Sequence, residues 1–208
     1  MIVKALSCAI IGIESYLVDV EVDTSPGLPQ FSTVGLPDIA VKESRDRIRA
    51  AIKNSGYSFP RGHVTVNLAP ADIRKEGTGF DLPIAAAILA AEGLMDGERL
   101  GRYVLMGELS LDGGIKGIPG VISAAFQAKT LGLPGIVMAA ENGPEAAIVE
   151  GIDVIPAESL ADVVEFLSGR RPIAPLQGDA ASLLTRISSY PFDFSEIQGQ
   201  DQAKRALE

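Results

Sequence analysis

One apolar segment decides the fold predicted for this chain: Asp81-Leu82-Pro83-Ile84-Ala85-Ala86-Ala87-Ile88-Leu89-Ala90-Ala91, residues 81–91. Asp81 can cap a helix at this position, and Pro83 suits its first turn. From Ile84 to Ala91 the helix would carry almost only apolar side chains, and such a helix must be buried on most sides. The sequence therefore predicts a central helix that the other elements enclose.

Several strands are predicted before this helix. Ile2–Ile10 and Tyr16–Val22 show the apolar, β-branched pattern of a hairpin, and Phe31–Val34 and His63–Leu68 each indicate one more strand. His63 lies inside a predicted strand, so we interpret it as structural. Between these strands a helix is expected from an N-cap at Asp38 to a stop at Gly56.

The second half of the sequence alternates strands with helices. The predicted strands are residues 103–106, 135–138 and 153–155, and the predicted helices are residues 121–131, 144–150 and 160–167. Residues 109–115 form a predicted hairpin with an Asp-Gly turn. Alternation of this kind is typical of an α/β fold.

Composition excludes several classes of protein. The 208 residues are 47% hydrophobic, which is enough to bury a substantial core, and 22 Gly with 13 Pro indicate many turns rather than one long helix. No apolar run approaches the roughly 20 residues of a membrane span, and the N-terminus lacks the order of a signal peptide, so we expect a cytoplasmic protein. With one cysteine and one histidine, neither an internal disulfide nor a zinc site made by these two residues alone is expected.

Positive charge is concentrated in one part of an acidic chain. The net charge is −9, yet residues 42–76 hold eight basic and four acidic side chains, a local balance of +4. Four of these cations recur at helical spacing on the predicted helix that follows Asp38, and two follow in a loop: Lys42, Arg45, Arg49 and Lys53, then Arg74 and Lys75. Both an anion-facing patch and an ordinary solvated helix face give this pattern.

The last forty residues differ in composition from the rest of the chain. Residues 169–190 are interpreted as a linker after a domain at residues 1–168, because apolar residues are few until Leu183. Residues 191–208 are interpreted as the truncated start of a second domain, since the final helical pattern stops in mid-turn.

Three stretches resemble the amino-terminal region of the ComM/YifB family of magnesium-chelatase-like AAA+ ATPases: residues 34–45 (VGLPDIAVKESR), 64–72 (VTVNLAPAD) and 75–84 (KEGTGFDLPI). The resemblance covers essentially the whole chain, and it implies a mixed sheet with the fold of the Lon proteolytic domain. It also implies a role in DNA recombination and natural transformation. For the full-length protein it implies ATP and Mg²⁺ as cofactors, a homo-hexamer, DNA as a partner and no membrane.

The resemblance also suggests positions for catalytic and nucleotide-binding groups. Gly79 stands where Lon has its serine and Ala124 where Lon has its lysine, so the domain is expected to be catalytically inactive and a Ser-Lys peptidase is a remote alternative. Ile197 and Gln198 match the adenine edge of the family's nucleotide pocket. The chain has no Gly-x-x-x-x-Gly-Lys-Ser/Thr loop, so we expect no enzyme activity from it alone. Gly77-Thr78-Gly79 before the central helix could hold an anion only weakly, with Asp81 competing for the same amides.

Two functions remain open at this point. The chain is either a domain that guides DNA in an ATP-driven helicase or branch-migration motor, or an assembly or partner-binding module without DNA contact of its own. Base-specific recognition is not expected, because few aromatic residues lie near the cations.

Overall fold

The computed structural model describes residues 2–176, 178 and 196–207, and it divides into two compact units, Met1–Gly178 and Asp179–Glu208. Nine strands lie in the described part of the first unit. They are β1 (Ile2–Ile11), β2 (Glu14–Ser25), β3 (Gln30–Val34), β4 (His63–Ala69), β5 (Tyr103–Met106), β6 (Glu108–Leu109), β7 (Ile115–Lys116), β8 (Gly135–Ala139) and β9 (Asp153–Ala157).

Seven of these strands form one mixed sheet in the order β3-β4-β2-β1-β5-β8-β9. β1 pairs with β2, and β2 with β4, in antiparallel fashion, whereas the other neighbours are parallel. β6 and β7 form a separate small hairpin around the predicted Asp-Gly turn. The predicted α/β class is therefore confirmed, with a mixed sheet at its centre.

Among its described residues the first unit has six α-helices: α1 (Ile39–Asn54), α2 (Asp81–Ala91), α3 (Gly97–Leu100), α4 (Val121–Thr130), α5 (Gly143–Ala146) and α6 (Leu160–Leu167). The prediction of a helix at 144–150 was too long, because α5 ends at Ala146 and a turn follows. The start of α6 is fixed by a reciprocal pair, in which the Asp162 N–H donates to Ser159 Oγ at 3.2 Å and the Ser159 N–H donates to Asp162 Oδ2 at 3.1 Å.

The helix that was expected to be enclosed by the other elements is enclosed within the first unit. Every residue of α2 from Asp81 to Ala90 is buried. α2 belongs to a main apolar cluster that also includes the buried faces of α1, α6 and most strands of the sheet. A second cluster contains buried residues of α4 and α5 together with alternate residues of β5, β8 and β9. Strands β5, β8 and β9 thus contribute to both clusters, which explains their short, almost purely apolar sequences.

The second unit has one described helix, α7 (Asp201–Leu207). Most of the predicted linker at 169–190 lies outside the described residues, but residues 169–176 belong to the first unit, where the Leu176 N–H donates to the Val154 carbonyl at 2.8 Å. In the described parts of the chain, no helix combines the length and apolar character that crossing a bilayer would require.

Candidate nucleic-acid interface

Helix α1 places four cations on one solvent-exposed face. The neighbouring face is buried through Val41, Ile48, Ala51 and Ile52, as predicted. The exposed cations, which we call the basic stripe, are Lys42, Arg45, Arg49 and Lys53. From the first to the last they extend over roughly 17 Å of helix axis, since each residue adds about 1.5 Å.

Asp38 fixes the beginning of α1. Its carboxylate accepts the Val41 N–H at 2.8 Å as an N-cap and also accepts the Gly77 N–H at 3.1 Å. The Asp38 N–H in turn donates to the Lys75 carbonyl at 3.0 Å. These bonds tie residues 75–77 to the start of the helix, and as a result Arg74 and Lys42 line the same surface cavity of about 300 Å³. The structure thus brings Arg74 to the basic stripe.

Lys75 does not belong to this surface, contrary to the sequence-based expectation. Its side chain is fully buried, and its ammonium donates to the Pro70 carbonyl. Burial lowers the pKa of Lys75, an effect that Asp72 partly opposes. A phosphate outside the protein cannot reach this ammonium, so Lys75 is removed from the candidate interface.

The charges of the basic stripe are only partly neutralised. Arg45 Nε lies 3.1 Å from Asp46 Oδ1, and Arg74 Nε lies 3.0 Å from Glu76 Oε1, in pairs that are well exposed to water. Within the described residues, Lys42, Arg49 and Lys53 have no carboxylate within ion-pair distance. Like charges at helical spacing repel each other, and an anionic ligand would relieve that repulsion.

A concave site that the sequence analysis missed lies beside the stripe. Arg45, Arg49 and Arg61 line it together with Phe31 and Phe59, around a volume of about 560 Å³, and we call it the arginine pocket. The parallel pairing of β3 with β4 places Gln30 opposite His63, which brings the residues before β4 next to those of β3. Only this long-range pairing assembles the pocket, although the sequence Phe59-Pro60-Arg61 offered a local sign of an aromatic beside a cation.

The positions that match the Lon dyad carry no hydroxyl or amine. A Cβ added at Gly79 would lie 2.7 Å from Ile118 Cδ1, so Ile118 occupies the space that a side chain at Gly79 would need. Ala124 is buried on α4, in the same apolar cluster as Ile118. A cleft of about 590 Å³ lies next to Gly79, and none of the described residues that line it is serine or lysine.

The role of Asp81 at the start of α2 differs from the one that was expected. Asp81 was expected to cap α2, but the helix begins after Phe80 without a side-chain cap. The Asp81 carboxylate instead accepts Arg47 Nε at 2.7 Å and the Leu109 N–H at 3.3 Å. The thiol of Cys8, which lines the cleft, is a poor nucleophile because burial raises its pKa to about 11.

Ile197 and Gln198 lie in the second unit, just before α7. Ile197 is partly exposed, and its carbonyl accepts a hydrogen bond from Lys204 Nζ at 2.5 Å. Their assignment to an adenine edge stays a prediction.

The fold and the surface together define a class of protein: a mixed α/β domain that exposes a basic helix next to an arginine-lined pocket. The sequence model of the family described as "Subunit ChlI of Mg-chelatase" matches residues 20–142 of the chain. This range includes β3, α1, β4 and α2, and therefore the whole candidate interface.

Similar proteins occur in distant bacteria. "Uncharacterized protein YifB" of Escherichia coli (strain K12) is 43% identical over 201 residues, which are 96% of this chain and 38% of the relative. "Competence protein ComM" of Haemophilus influenzae is 40% identical over 203 residues, 97% of this chain and 40% of the relative. An uncharacterized protein of Mycobacterium tuberculosis is 40% identical over 205 residues, 99% of this chain and 40% of the relative.

The chain belongs to the magnesium-chelatase ChlI-like family that contains YifB and ComM, as its motifs predicted. It spans about 40% of the length of the curated relatives that it matches.

Proposed function

We propose that this chain is a non-catalytic DNA-guiding domain of an ATP-driven helicase or branch-migration motor that acts in recombination and natural transformation. The observation that carries the proposal is the basic stripe, in which three cations have no carboxylate partner in the described part of the chain. The name of the relative ComM, a competence protein, agrees with handling of DNA.

Phosphate contact is the chemistry that suits this surface. The chain as a whole repels a polyanion because its net charge is −9, so affinity for DNA has to come from a local patch. Lys42, Arg45, Arg49 and Lys53 share one exposed face, and Arg74 extends it past the N-terminus of α1. Each phosphate neutralised by such a cation releases counterions and strengthens binding at low salt.

ATP and Mg²⁺ belong to the rest of the full-length protein in this proposal. A phosphate-binding loop is absent from the sequence, so these residues do not fit the triphosphate, whereas Ile197 and Gln198 are proposed to lie at the adenine edge of a pocket completed elsewhere. The full-length protein would form a homo-hexameric ring whose motor domains move DNA while this domain directs its path.

The domain itself is proposed to be an inactive relative of the Lon proteolytic domain. Gly79 and Ala124 supply neither nucleophile nor base, and Ile118 fills the space beside Gly79. Its cleft is then an inherited feature without hydrolytic chemistry.

The test is a charge-neutral variant of the stripe, Lys42→Gln, Arg45→Gln, Arg49→Gln and Lys53→Gln together. Each phosphate contact contributes about −0.9 on duplex DNA, or about −0.7 on a single strand, to the slope of log affinity against log salt. With four such contacts, the parent should show a slope of about −3 to −4. The variant should bind DNA more weakly and with a flatter slope, because its phosphate contacts are lost. Fluorescence anisotropy with labelled forked DNA over a salt series measures both quantities.

A matched control removes the same charge elsewhere. Lys4, Arg102, Lys116 and Lys129 are exposed and lie outside α1, so changing all four to glutamine lowers the net charge equally. The control variant should keep most of the slope. If the stripe variant and the control bind alike, in this chain and in the full-length ring, the guiding role is wrong and the assembly-module function takes its place.

A further inference from the structure

The arginine pocket has a fixed aromatic wall. Phe31 on β3 and Phe59 just before β4 have ring centroids 6.3 Å apart with an interplanar angle of 34°. Both rings are partly buried and pack against the main apolar cluster, while they also line the pocket. Their positions are therefore set by the core, so the wall exists before any ligand arrives.

Three guanidinium groups surround this wall. The Arg49 guanidinium carbon lies 5.8 Å from the centroid of the Phe59 ring, a cation–π contact that orients the planar group. Arg45 and Arg61 line the same pocket, and none of the described residues that line it is acidic. Guanidinium groups bind phosphate through two parallel N–H donors, which makes an oriented arginine a better phosphate ligand than a mobile one.

Cations and aromatic faces together select a particular state of a nucleic acid. In a duplex the faces of the bases are covered by their neighbours, so only phosphates could reach the arginines. An unpaired strand offers both a phosphate and the face of a base, which stacks on aromatic rings or on arginine planes. The pocket volume of about 560 Å³ lies within the range of sites for small ligands.

We infer that the arginine pocket holds one unpaired nucleotide of single-stranded DNA, with its phosphate on Arg45, Arg49 and Arg61 and its base against Phe31 and Phe59. This inference rests on the proposed function and goes further, because the basic stripe alone would bind single and double strands by charge only. The pocket gives the domain a preference for the unpaired strand, the state that a fork or a migrating branch exposes.

The first experiment needs no variant. Binding of labelled oligothymidylate is compared with binding of an abasic strand of the same length, which has the same phosphates and no bases. We expect the abasic strand to bind at least about fivefold more weakly, since stacking of one base on an aromatic side chain accounts for that much or more. Equal affinities would overturn the inference.

The second experiment uses substitutions with matched controls. Phe59→Leu keeps an apolar side chain and removes the ring. It should therefore reduce the difference in affinity between oligothymidylate and the abasic strand. Phe126→Leu changes an exposed phenylalanine on α4 and should leave that difference unchanged. Thermal unfolding of both variants shows whether the core is intact, and a preserved preference for bases in folded Phe59→Leu would contradict the inference.

The phosphate ligand is tested by Arg61→Gln, with the exposed Arg102→Gln as control. Arg61→Gln should weaken binding of both strands and reduce the steepness of the salt slope by about 0.7, because one phosphate contact on a single strand is lost. An unchanged slope would remove Arg61 from the site. Free thymidine monophosphate should displace the labelled strand only weakly. If it competes as strongly as an unlabelled strand does, the ligand of the pocket is a free nucleotide, and the inference of a single-strand site is overturned.

The outcomes separate the inference from the proposed function. A parent chain that shows no salt-dependent DNA binding overturns both. A parent that binds with the expected salt slope but treats bases and abasic sites alike overturns the inference only, and the guiding role by charge stands.

Discussion

Asp81 is a charged residue placed where the surroundings are apolar. Its side chain is 1% exposed, and it forms an ion pair with Arg47, whose Nε and Nη2 lie 2.7 and 3.1 Å from the two carboxylate oxygens. Burial raises the pKa of Asp81, and the positive charge of Arg47 opposes that rise. The ion pair therefore links α1 to α2, and the Asp81 carboxylate depends on Arg47 to offset the cost of its burial.

Breaking this pair should be costly. Arg47→Met leaves the Asp81 carboxylate with the Leu109 N–H at 3.3 Å as its remaining partner of those described above, and an uncompensated buried charge costs about 3 kcal/mol in free energy of unfolding. Urea unfolding at neutral pH measures the loss. Arg45→Met, which removes an arginine paired with Asp46 on the surface, should cost less than about 1 kcal/mol, and equal losses would contradict the prediction.

The loss in Arg47→Met should also depend on pH. Because the pKa of Asp81 is raised above its ordinary value of 3.8, its proton binds more tightly in the native state; the resulting stabilisation is complete below pH 3.8 and is lost as the pH rises through the raised pKa. Without Arg47 this pKa rises further. The difference between parent and variant should therefore grow from about pH 3 to about pH 7, and a constant difference would show that Asp81 is not the cause.

At the scale of elements, the pairing of β3 with β4 supports both the basic stripe and the arginine pocket. Gly35 follows β3 with φ at +96°, and a Cβ there would lie 2.1 Å from the Leu68 carbonyl oxygen on β4. The chain can leave β3 and begin α1 at this point only because the residue has no side chain.

Gly35→Ala should therefore destabilise the protein by more than about 2 kcal/mol, through a backbone clash added to an unfavourable φ. Gly12→Ala is the matched control, because Gly12 also has a positive φ, +64°, but a Cβ there meets nothing within 4 Å. It should cost about 1 kcal/mol. Thermal or urea unfolding measures both, and a Gly35→Ala variant no less stable than Gly12→Ala would show that β4 can move away.

At the scale of the whole molecule, an acidic chain exposes a basic region on α1. The net charge of −9 keeps most of the surface unfavourable for a polyanion, so under the proposed function DNA would contact the part of the molecule that carries α1. Rising salt should weaken that contact while the apolar clusters keep the fold intact.

The chain on its own should release no phosphate from ATP, with or without DNA, because no loop in the sequence can hold the triphosphate. A colorimetric phosphate assay measures this, and the full-length protein, which is proposed to hydrolyse ATP, is assayed beside it. Hydrolysis by the purified chain that withstands further purification would mean that a nucleotide site exists within these residues.

The sequence by itself determined the local elements and the family. Apolar runs and their spacing predicted the β1–β2 hairpin, the buried helix α2 and the amphipathic helix α1. These features could be predicted because buried residues recur with a periodicity that is visible along the chain. The motifs at 34–45, 64–72 and 75–84 predicted the family because they are long and specific. The positions of Lys42, Arg45, Arg49 and Lys53 on one exposed face followed from helical geometry alone.

Only the tertiary structure decided which charged residues are exposed at the surface and which are buried. Lys75 was expected on the surface and Asp81 at a helix cap, but residues 75–77 are bonded to the start of α1 with Lys75 buried, and Arg47 pairs with the buried Asp81 on α2. Arg61 and Phe31 meet through the pairing of strands that are distant in sequence. Local periodicity holds no information about such contacts, because they depend on how separate elements pack, and packing is a property of the whole chain.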